Sequence, residues 1–514
     1  MISRRFFIGG AASFGAFAGC RFFECHNFRA GGVPNLKFGV VSDIHITNVF
    51  RGDHRTEAHG GNATFRHTLE WFRDQGVDAV LIAGDMADLG LSEQLEAVAA
   101  AWYGVFPGDR APDGRRVEKV FVYGNHDWDG HTYGDWAKKV HPDPKELERH
   151  VLRWNHRRFW EEIFHEEFAP IYRKEIKGYT FIGSHWTYRD AASSDLGAAY
   201  RDFARISPFM EKVRNSLDPS LPFFYVQHPH PKDTCYGPWA WGHDDGSVTK
   251  TLSGFPNAIA FSGHSHYSLT DERSIWQGAF TSIGTSSLRY TGMPYNERGP
   301  VGYENTTAEG KDAWRHDAVK LMGRFSSGDC RQGMLWSVYD DCIVVKRREF
   351  VSDLDLGDDW VMPLPAAESR PFAFAERAKR FAAPEFPAGA AAKVEVVQAK
   401  NRGGMSGDGK EKIEAVAKKS FRVTVPAVPA DRSARLYNLE FVCEAKNGQK
   451  VSKLTMAEGF NHAPGHAKTK CSNFCVFAAD ALPQGRIRFM VTPRNCFGKE
   501  GRPLVTDWVE NSTI

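Results

Sequence analysis

The sequence predicts an α/β region followed by a smaller all-β region. From Leu36 onward, short apolar runs alternate with amphipathic stretches, the pattern of a sheet of mainly parallel strands connected by helices. Residues 382–392 (AAPEFPAGAAA) are small and Pro-rich, which is typical of a linker. Strand-like alternation with intervening turn residues then predicts a β-sandwich over residues 393–514. A chain of 514 residues is also too long to fold around a single hydrophobic core, which favours at least two domains.

Individual elements follow from the local pattern. Buried apolar runs predict strands at Leu36–Ser42, Asp78–Ala83, Val117–Tyr123, Tyr179–Ser184, Pro222–Gln227 and Ala258–Ser262. Helical spacing predicts helices at Thr64–Gln75, at Ser92–Trp102 with Ser92 as the N-cap, and over about Pro144–His165. Runs without helices between them predict antiparallel strands near Ala279–Ile283, Met334–Tyr339 and Cys342–Phe350. The last region is predicted to hold strands at Val394–Gln398, Phe421–Val425, Leu436–Cys443 and Arg486–Val491.

The overall charge of the chain is close to neutral. The chain has 65 basic and 63 acidic residues, a formal net charge of +2. So neutral a balance gives no support for a general nucleic-acid binder or a polybasic membrane binder, and we expect no specific nucleic-acid binding.

The first 20 residues have the form of an export signal. Arg4 and Arg5 precede an apolar run that is too short to span a bilayer, and Ser3–Ile8 (SRRFFI) resembles the twin-arginine signal. This resemblance implies export by the twin-arginine machinery to the periplasm or the medium. Ala16–Ala18 fits ordinary cleavage, whereas Ala18–Cys20 fits a lipoprotein signal with a lipid anchor at Cys20. The nine cysteines can form disulfides in such a compartment, but their pairing cannot be read from the sequence.

Five polar clusters each follow a predicted strand. They are Asp43-Ile44-His45, Gly84-Asp85-Met86-Ala87-Asp88, Gly124-Asn125-His126-Asp127, His228-Pro229-His230 and Gly263-His264-Ser265-His266. Each cluster alone is weak, because turns often contain such residues. In α/β sheets, however, ligands bind where strands end, so the five clusters together predict one convergent site.

The order DxH, GDxxD, GNHD, H, GHxH resembles the calcineurin-like metallophosphoesterase superfamily, which includes purple acid phosphatases and many phosphodiesterases. The resemblance covers roughly residues 36–350, and we expect a catalytic domain at 36–370. It implies a four-layer α/β/β/α sandwich on two central sheets. It also implies hydrolysis of a small-molecule phosphomonoester or phosphodiester, by attack of a hydroxide bound to a dinuclear metal centre.

The resemblance implies a role for each site residue. Asp85 would bridge two metals, with Asp43, His45 and His266 on the first. Asn125, His228 and His264 would hold the second. Imidazole, carboxylate and amide ligands suit iron, manganese or zinc, and the sequence does not choose among them. His228 is preferred to His230 because it directly follows its strand, whereas His230 could instead face substrate.

Two further residues complete the implied chemistry. His126 matches the histidine that contacts the phosphate and protonates the leaving oxygen, and Asp88 matches the acid that orients it. Asp127 is a competing orienting residue or a turn residue. Aromatic residues in Trp128–Tyr133 and Cys235–Asp245 can stack on a substrate or simply pack their loops.

Two alternatives stay open at this point. The His-containing insertion Arg51–His59 either covers the site or forms a solvated loop. The competing function is a non-catalytic metal-binding or envelope-binding protein on a phosphoesterase scaffold. The complete ligand set argues against it.

Overall fold

The computed structural model describes residues 31–47, 61–129, 143, 156–187, 203–237, 240–292, 326–400, 404–405, 412–413, 417–429, 435–457 and 459–512. The predicted signal at 1–20, the possible anchor Cys20 and the insertion Arg51–His59 lie outside these ranges. Within them, no helix is both long and apolar enough to cross a membrane.

An α/β region comes first. Its strands are β1 (Leu36–Val41), β2 (Ala79–Ala83), β3 (Glu118–Val122), β4 (Ile171–Ile176), β5 (Tyr179–Ser184), β6 (Phe223–Val226), β7 (Ala258–Ser262), β8 (Ile275–Gln277), β9 (Thr281–Gly284), β10 (Thr291–Gly292), β11 (Ser326–Ser327), β12 (Gln332–Val338), β13 (Cys342–Glu349), β14 (Leu354–Asp355) and β15 (Trp360–Pro363). Its helices are α1 (Gly61–Asp74), α2 (Ser92–Val105), α3 (Asn125–Asp129), α4 (His156–Phe164), α5 (Ile206–Val213), α6 (Ser247–Leu252) and α7 (Phe374–Arg380).

Most strands of this region form two mixed sheets. The first has the order β14-β13-β12-β1-β2-β3, with β15 paired to β13. Its strands β1, β2 and β3 are parallel, and β12 runs antiparallel to β1. The second has the order β4-β5-β6-β7-β9-β8, with β5, β6, β7 and β9 parallel.

Two details differ from the sequence prediction. The expected antiparallel strand near Ala279–Ile283 is β9, which pairs antiparallel with β8 as expected but also pairs parallel with β7. The intervening residues 263–280 supply the long connection that a parallel pair needs, although they contain no α-helix. The N-cap of α2 is Leu91, so Ser92 is its first helical residue.

The two sheets share one apolar core. Phe38 of β1 contacts the rings of Phe181, Phe224 and Phe261 from the second sheet at centroid distances of 5.3, 4.9 and 5.9 Å. Alternate residues on the opposite strand faces join a second cluster that contains the apolar residues of α1, α2, α5 and α6. Helices therefore cover the faces of the sheets that point away from the shared core.

The C-terminal region is built from strands. They are β16 (Lys393–Lys400), β17 (Gly404–Met405), β18 (Lys412–Ile413), β19 (Ala417–Val425), β20 (Asn438–Ala445), β21 (Lys450–Met456), β22 (Asn473–Ala478), β23 (Gly485–Arg494), β24 (Leu504–Val505) and β25 (Val509–Asn511). A sheet β16-β19-β22 and a sheet β21-β20-β23-β24, with β25 on β23, share an apolar core of their own. Residues 382–392 contain neither helix nor strand.

Candidate metal centre

The five motifs lie at the carboxyl ends of parallel strands from both sheets. Asp43 and His45 follow β1, Asp85 follows β2, and Asn125 and His126 open α3 after β3. His228 follows β6, and His264 and His266 follow β7. Because parallel strands end at a common edge, side chains separated by more than 200 positions in the sequence lie within a few ångströms of one another.

Asp43, His45 and His266 form one group. His266 Nε2 lies 3.0 Å from Asp43 Oδ1. His45 Nε2 lies 3.1 Å from His266 Nε2 and 3.9 Å from Asp43 Oδ1. All three side chains are buried, so their nitrogen and oxygen atoms face a common point shielded from bulk water.

Asp85, His228 and His264 form a second group. His228 Nε2 lies 3.1 Å from Asp85 Oδ2 and 3.1 Å from His264 Nδ1. The other nitrogen of His228, Nδ1, donates a hydrogen bond to the carbonyl oxygen of Ala83 at 2.7 Å. Neutral His228 therefore presents an unprotonated Nε2 to the group, which is the form that binds a metal.

Asp85 joins the two groups through one oxygen. Asp85 Oδ2 lies 3.5 Å from His45 Nε2 of the first group and 3.1 Å from His228 Nε2 of the second. The other oxygen, Oδ1, accepts a hydrogen bond from the backbone N–H of His126 at 2.8 Å. A single oxygen of Asp85 therefore faces ligands of both groups.

Several ligand positions have a left-handed backbone. The φ angles of Asp43, His45, Asp85, His264 and His266 are 49, 48, 51, 70 and 57°. Residues other than glycine adopt this conformation infrequently, and such positions concentrate at functional sites. The left-handed backbone at these strand-to-loop turns thus directs the ligand side chains toward the metal centre.

Glycines precede the ligands because the backbone approaches them closely. A Cβ atom at Gly84 would collide with the His228 ring, one at Gly124 with the Asp85 carboxylate, and one at Gly263 with the Asp43 carboxylate. The glycine of each motif is therefore part of the site. Its position immediately before a ligand was visible in the sequence, although its steric role was not.

Asp88 and Asp127 link neighbouring motifs of the site. The Asp88 carboxylate Oδ1 lies 3.3 Å from His45 Nδ1 and 2.9 Å from Arg289 Nη1, while the Asp88 carbonyl oxygen lies 2.8 Å from His126 Nδ1. Asp88 thus meets the His126 ring through its carbonyl oxygen, and its carboxylate also lies within 4.8 Å of a His126 ring nitrogen. Asp127 accepts backbone hydrogen bonds from Met86, Ala87 and Gly124 at 3.1, 2.7 and 2.8 Å, and so ties two motifs together.

His230 is a neighbour of the second group. Its ring nitrogens lie 2.7 Å from Ser262 Oγ and 2.7 Å from Ser265 Oγ. Burial lowers the pKa of His230 well below its usual value, and His243 and His264 add to the effect. A neutral His230 therefore braces the turn that contains His264.

The electrostatics match a site prepared for cations. Burial raises the pKa of Asp43, but His266 and His45 outweigh it and hold that pKa well below the ordinary value. Burial lowers the pKa of His45, yet Asp43, Asp88 and Asp85 raise it to about 10. Burial likewise opposes protonation of His228, whereas Asp85 and Asp43 raise its pKa to about 9. Asp43 therefore stays anionic, and the carboxylates around His45 and His228 draw positive charge to those two imidazoles.

The donor set and its spacing fit metal ions. Ligand atoms about 2.1 Å from a common ion lie about 3.0–3.4 Å from one another in tetrahedral or octahedral geometry. The closest spacings here are 3.0 and 3.1 Å in the first group and 3.1 and 3.1 Å in the second. The first group offers two imidazoles and a carboxylate, as does the second. Such nitrogen and oxygen donors suit iron, manganese or zinc.

Four side chains at the rim were not assigned by the sequence motifs. Arg289 Nη1 donates to the His45 carbonyl oxygen at 3.1 Å, in addition to its ion pair with Asp88. Tyr290 lies over the His266 ring at a centroid distance of 4.3 Å. Trp241 stacks on the His264 ring at 4.4 Å and is 42% exposed, and Trp186 lies 5.7 Å from the same ring. Trp241 was visible in the sequence as part of an aromatic loop.

Comparisons with known proteins relate the chain to one family model and to several solved structures. Residues 36–268 match the family model for calcineurin-like phosphoesterases, and this span includes all nine predicted site residues. No curated protein sequence matches the chain. A dimetal phosphatase from Danio rerio is 14% identical, aligned over 64% of this chain and 99% of its own, with a TM-score of 0.34. A purple acid phosphatase from yellow lupin (Lupinus luteus) seeds is 11% identical over 66% of this chain and 56% of its own, with a TM-score of 0.35. These TM-scores are too low to establish a shared fold.

Proposed function

We propose that the protein is a metal-dependent phosphoesterase that hydrolyses phosphomonoesters or phosphodiesters at a dinuclear centre. Two bound cations would neutralise the phosphate, orient it and acidify a water molecule. The proposed ligands are Asp43, His45 and His266 for one ion, Asn125, His228 and His264 for the other, and Asp85 for both. The matched family span supports the reaction class.

One observation supports the proposal most strongly. Asp85 Oδ2 lies within 3.5 Å of His45 Nε2 and within 3.1 Å of His228 Nε2. A single anionic oxygen thus stands between two groups that each contain two imidazoles. Cations held close together repel each other, and a shared anion reduces that repulsion.

The protein's own residues would orient the substrate and supply a proton. His126 stands beside the bridge, since its backbone N–H binds Asp85 Oδ1. Its Nδ1 faces the Asp88 carbonyl oxygen, which accepts a hydrogen bond and so leaves Nε2 to exchange a proton with substrate. We assign His126 the role of general acid toward the leaving oxygen. Asp88 and Arg289 hold the adjacent His45 in place.

The catalytic region is proposed to be a four-layer α/β/β/α sandwich. The apolar core shared by the two sheets supports this arrangement, as do the helices on their opposite faces.

The test is a screen of purified, metal-loaded protein against mono-, di- and triesters of phosphate, with 4-nitrophenyl phosphate as the generic substrate. We expect turnover that a chelator abolishes and that added metal restores. A protein that binds two metals yet is inert toward every ester would favour the non-catalytic binding function instead.

Export is a separate proposal. The twin-arginine-like Ser3–Ile8 supports it. Replacement of both arginines, Arg4→Lys with Arg5→Lys, should retain the protein in the cytoplasmic fraction. Unchanged fractionation of that variant would refute the assignment, and labelling with a radioactive fatty acid would distinguish an anchor at Cys20 from a soluble product.

A further inference from the structure

A short turn of the C-terminal region contacts the loops of the metal centre. This turn, Gly459–His462, is called the 459–462 turn below. Thr270 Oγ1 donates a hydrogen bond to the Phe460 carbonyl oxygen at 2.7 Å. Asn461 Nδ2 donates to the Thr291 carbonyl oxygen at 3.2 Å, and Asn461 is fully buried. The turn therefore reaches two different segments of the α/β region.

The segment that Asn461 holds supports the ligands of the first metal. Ser287 Oγ donates to the Asp43 carbonyl oxygen at 3.0 Å. The backbone N–H of Gly292, the residue after Thr291, donates to the His266 carbonyl oxygen at 2.7 Å. A displacement of Thr291 would thus be transmitted to His266 through one peptide unit.

A second path runs through Gln332. Its Nε2 donates to the Asn461 carbonyl oxygen at 2.7 Å, and its Oε1 accepts from the backbone N–H of Leu269 at 2.7 Å and from Ser286 Oγ at 3.1 Å. Gln332 is fully buried. In a buried network each lost partner leaves a polar atom unsatisfied, so the groups move together or not at all.

The 459–462 turn is itself fixed within the C-terminal region. Arg435 Nη2 donates to the Phe460 carbonyl oxygen at 2.6 Å and to the Gly459 carbonyl oxygen at 3.2 Å. The Phe460 ring packs edge-to-face on Tyr437 at 5.0 Å. A Cβ atom at position 459 would collide with the backbone of Lys468 and Thr469. The 459–462 turn is therefore held firmly by the C-terminal region, and it restrains the loops that it contacts.

We propose that the C-terminal region is part of the scaffold of the metal centre and that Asn461 is a positioning residue for the first metal. The inference rests on the proposed dinuclear function. It assigns a role at the metal centre to the C-terminal region, which contains none of the five motifs. Asn461 acts through Thr291, Gln332 and the backbone of His266, and it touches neither metal nor substrate.

The test measures metal binding by the full chain. The variant is Asn461→Ala, and the matched control is Asn511→Ala. Asn511 is also fully buried, and its Nδ2 donates to the carbonyl oxygens of Ala479 and Pro483 at 3.0 and 2.9 Å, both within the C-terminal region. Chelator-treated protein is titrated with Mn²⁺ or Zn²⁺ by calorimetry, and the thermal midpoint is recorded for each variant.

The proposal predicts different behaviour in the two variants. Asn461→Ala should weaken binding of one metal equivalent by about 10-fold or more, in the range found when partners that orient metal ligands are removed. Asn511→Ala should lower the thermal midpoint but leave both affinities at the wild-type values. Thr270→Val, which removes the hydroxyl bond to Phe460 from the α/β side, should weaken the same equivalent and provides a second variant if Asn461→Ala fails to fold.

Three results would overturn it. Wild-type affinities for both equivalents in Asn461→Ala would show that the contact has no effect on the site. An equal loss in Asn511→Ala would show that general destabilisation explains the change. A wild-type chain that binds no metal would refute the proposed function as well, and is recognised before any variant is made.

Discussion

Replacing Asp85 by asparagine tests the bridge between the two metals. The side chain keeps its shape, so the tight packing against Gly124 is preserved and the change is mainly one of charge. Because Asp85 Oδ2 faces imidazoles of both groups, at 3.5 and 3.1 Å, loss of its charge should weaken both metal equivalents. A carboxylate that served one ion would affect only one.

The expected size follows from Coulomb's law. Two unit charges about 4 Å apart interact by about 4 kcal/mol at an effective dielectric constant of about 20, and the interaction grows at shorter distance. About 4 kcal/mol corresponds to roughly a thousandfold in an equilibrium constant. We therefore expect the affinity for each ion to fall by about three orders of magnitude, and turnover to disappear at metal concentrations that saturate the wild-type chain.

Asp43→Asn provides the comparison. Asp43 Oδ1 lies 3.0 Å from His266 Nε2 within the first group, and the second group is built from other side chains. This variant should lose one tightly bound equivalent and keep the other. The assay is metal stoichiometry after exhaustive dialysis, combined with hydrolysis of 4-nitrophenyl phosphate. If Asp85→Asn retains two tightly bound metals, or loses only one as Asp43→Asn does, the bridging role is wrong.

Three other predictions concern proton transfer, the rim and pH. The His126→Ala variant should retain both metals but hydrolyse alkyl phosphates about 10²–10⁴-fold more slowly. Hydrolysis of 4-nitrophenyl phosphate should slow much less, because a good leaving group needs no proton. Equal slowing of both esters would exclude His126 as the general acid. Trp241→Ala should reduce kcat/KM for adenosine 5′-monophosphate by about 5–150-fold, which corresponds to the usual base-stacking free energy of about 1–3 kcal/mol. The kcat/KM for ribose 5-phosphate should not change. Since the two esters release the same kind of alkoxide, an equal change in both would show that the exposed indole only packs on His264. At pH 8 the metal-free protein should hold protons on His45 and His228, whose pKa values are about 10 and 9, so metal affinity should rise with pH up to about pH 9–10. Calorimetry in two buffers of different ionisation enthalpy measures the protons released on metal binding. Binding that does not depend on pH would contradict the raised pKa values of the two histidines.

Much of the α/β region was predictable because its strands are buried on both faces. Such strands read as short continuous apolar runs, and β2 and β7 begin and end within one residue of the predicted ranges. The ligand motifs were equally visible, since each follows a strand directly. The local sequence therefore contains both the strand and the position at which its functional residue emerges.

Contacts between distant segments were not predictable in this way. The guanidinium of Arg289 binds residues about 200–244 positions away, at Asp88 and His45, and nothing in its own neighbourhood indicates this. Asp88 was matched to a partner of His126, and only the folded chain shows that its carboxylate also contacts His45 and Arg289. Strand β9 was predicted to be antiparallel because no helix separates the runs of that part of the chain, and it does pair antiparallel with β8. Its parallel pairing with β7 was not predicted. The connection reaches a parallel register without a helix.

The C-terminal turn illustrates the same limit. Asn461 lies in a Gly- and Pro-containing stretch that reads as an ordinary loop. Asn461 matters because it contacts Thr291, which lies 170 positions away in the sequence. Only the packing of the two regions creates this contact. Burial and hydrogen bonding, which distinguish it, are properties of the fold.

The most direct test of the central claim is anomalous diffraction from crystals of the metal-loaded protein, recorded at the absorption edge of the bound metal. The structure predicts two peaks about 3.5–4 Å apart, one among Asp43, His45 and His266 and one among His228, His264 and Asn125, with Asp85 between them. A single peak, or two peaks that do not share Asp85, would contradict the dinuclear centre proposed for this chain.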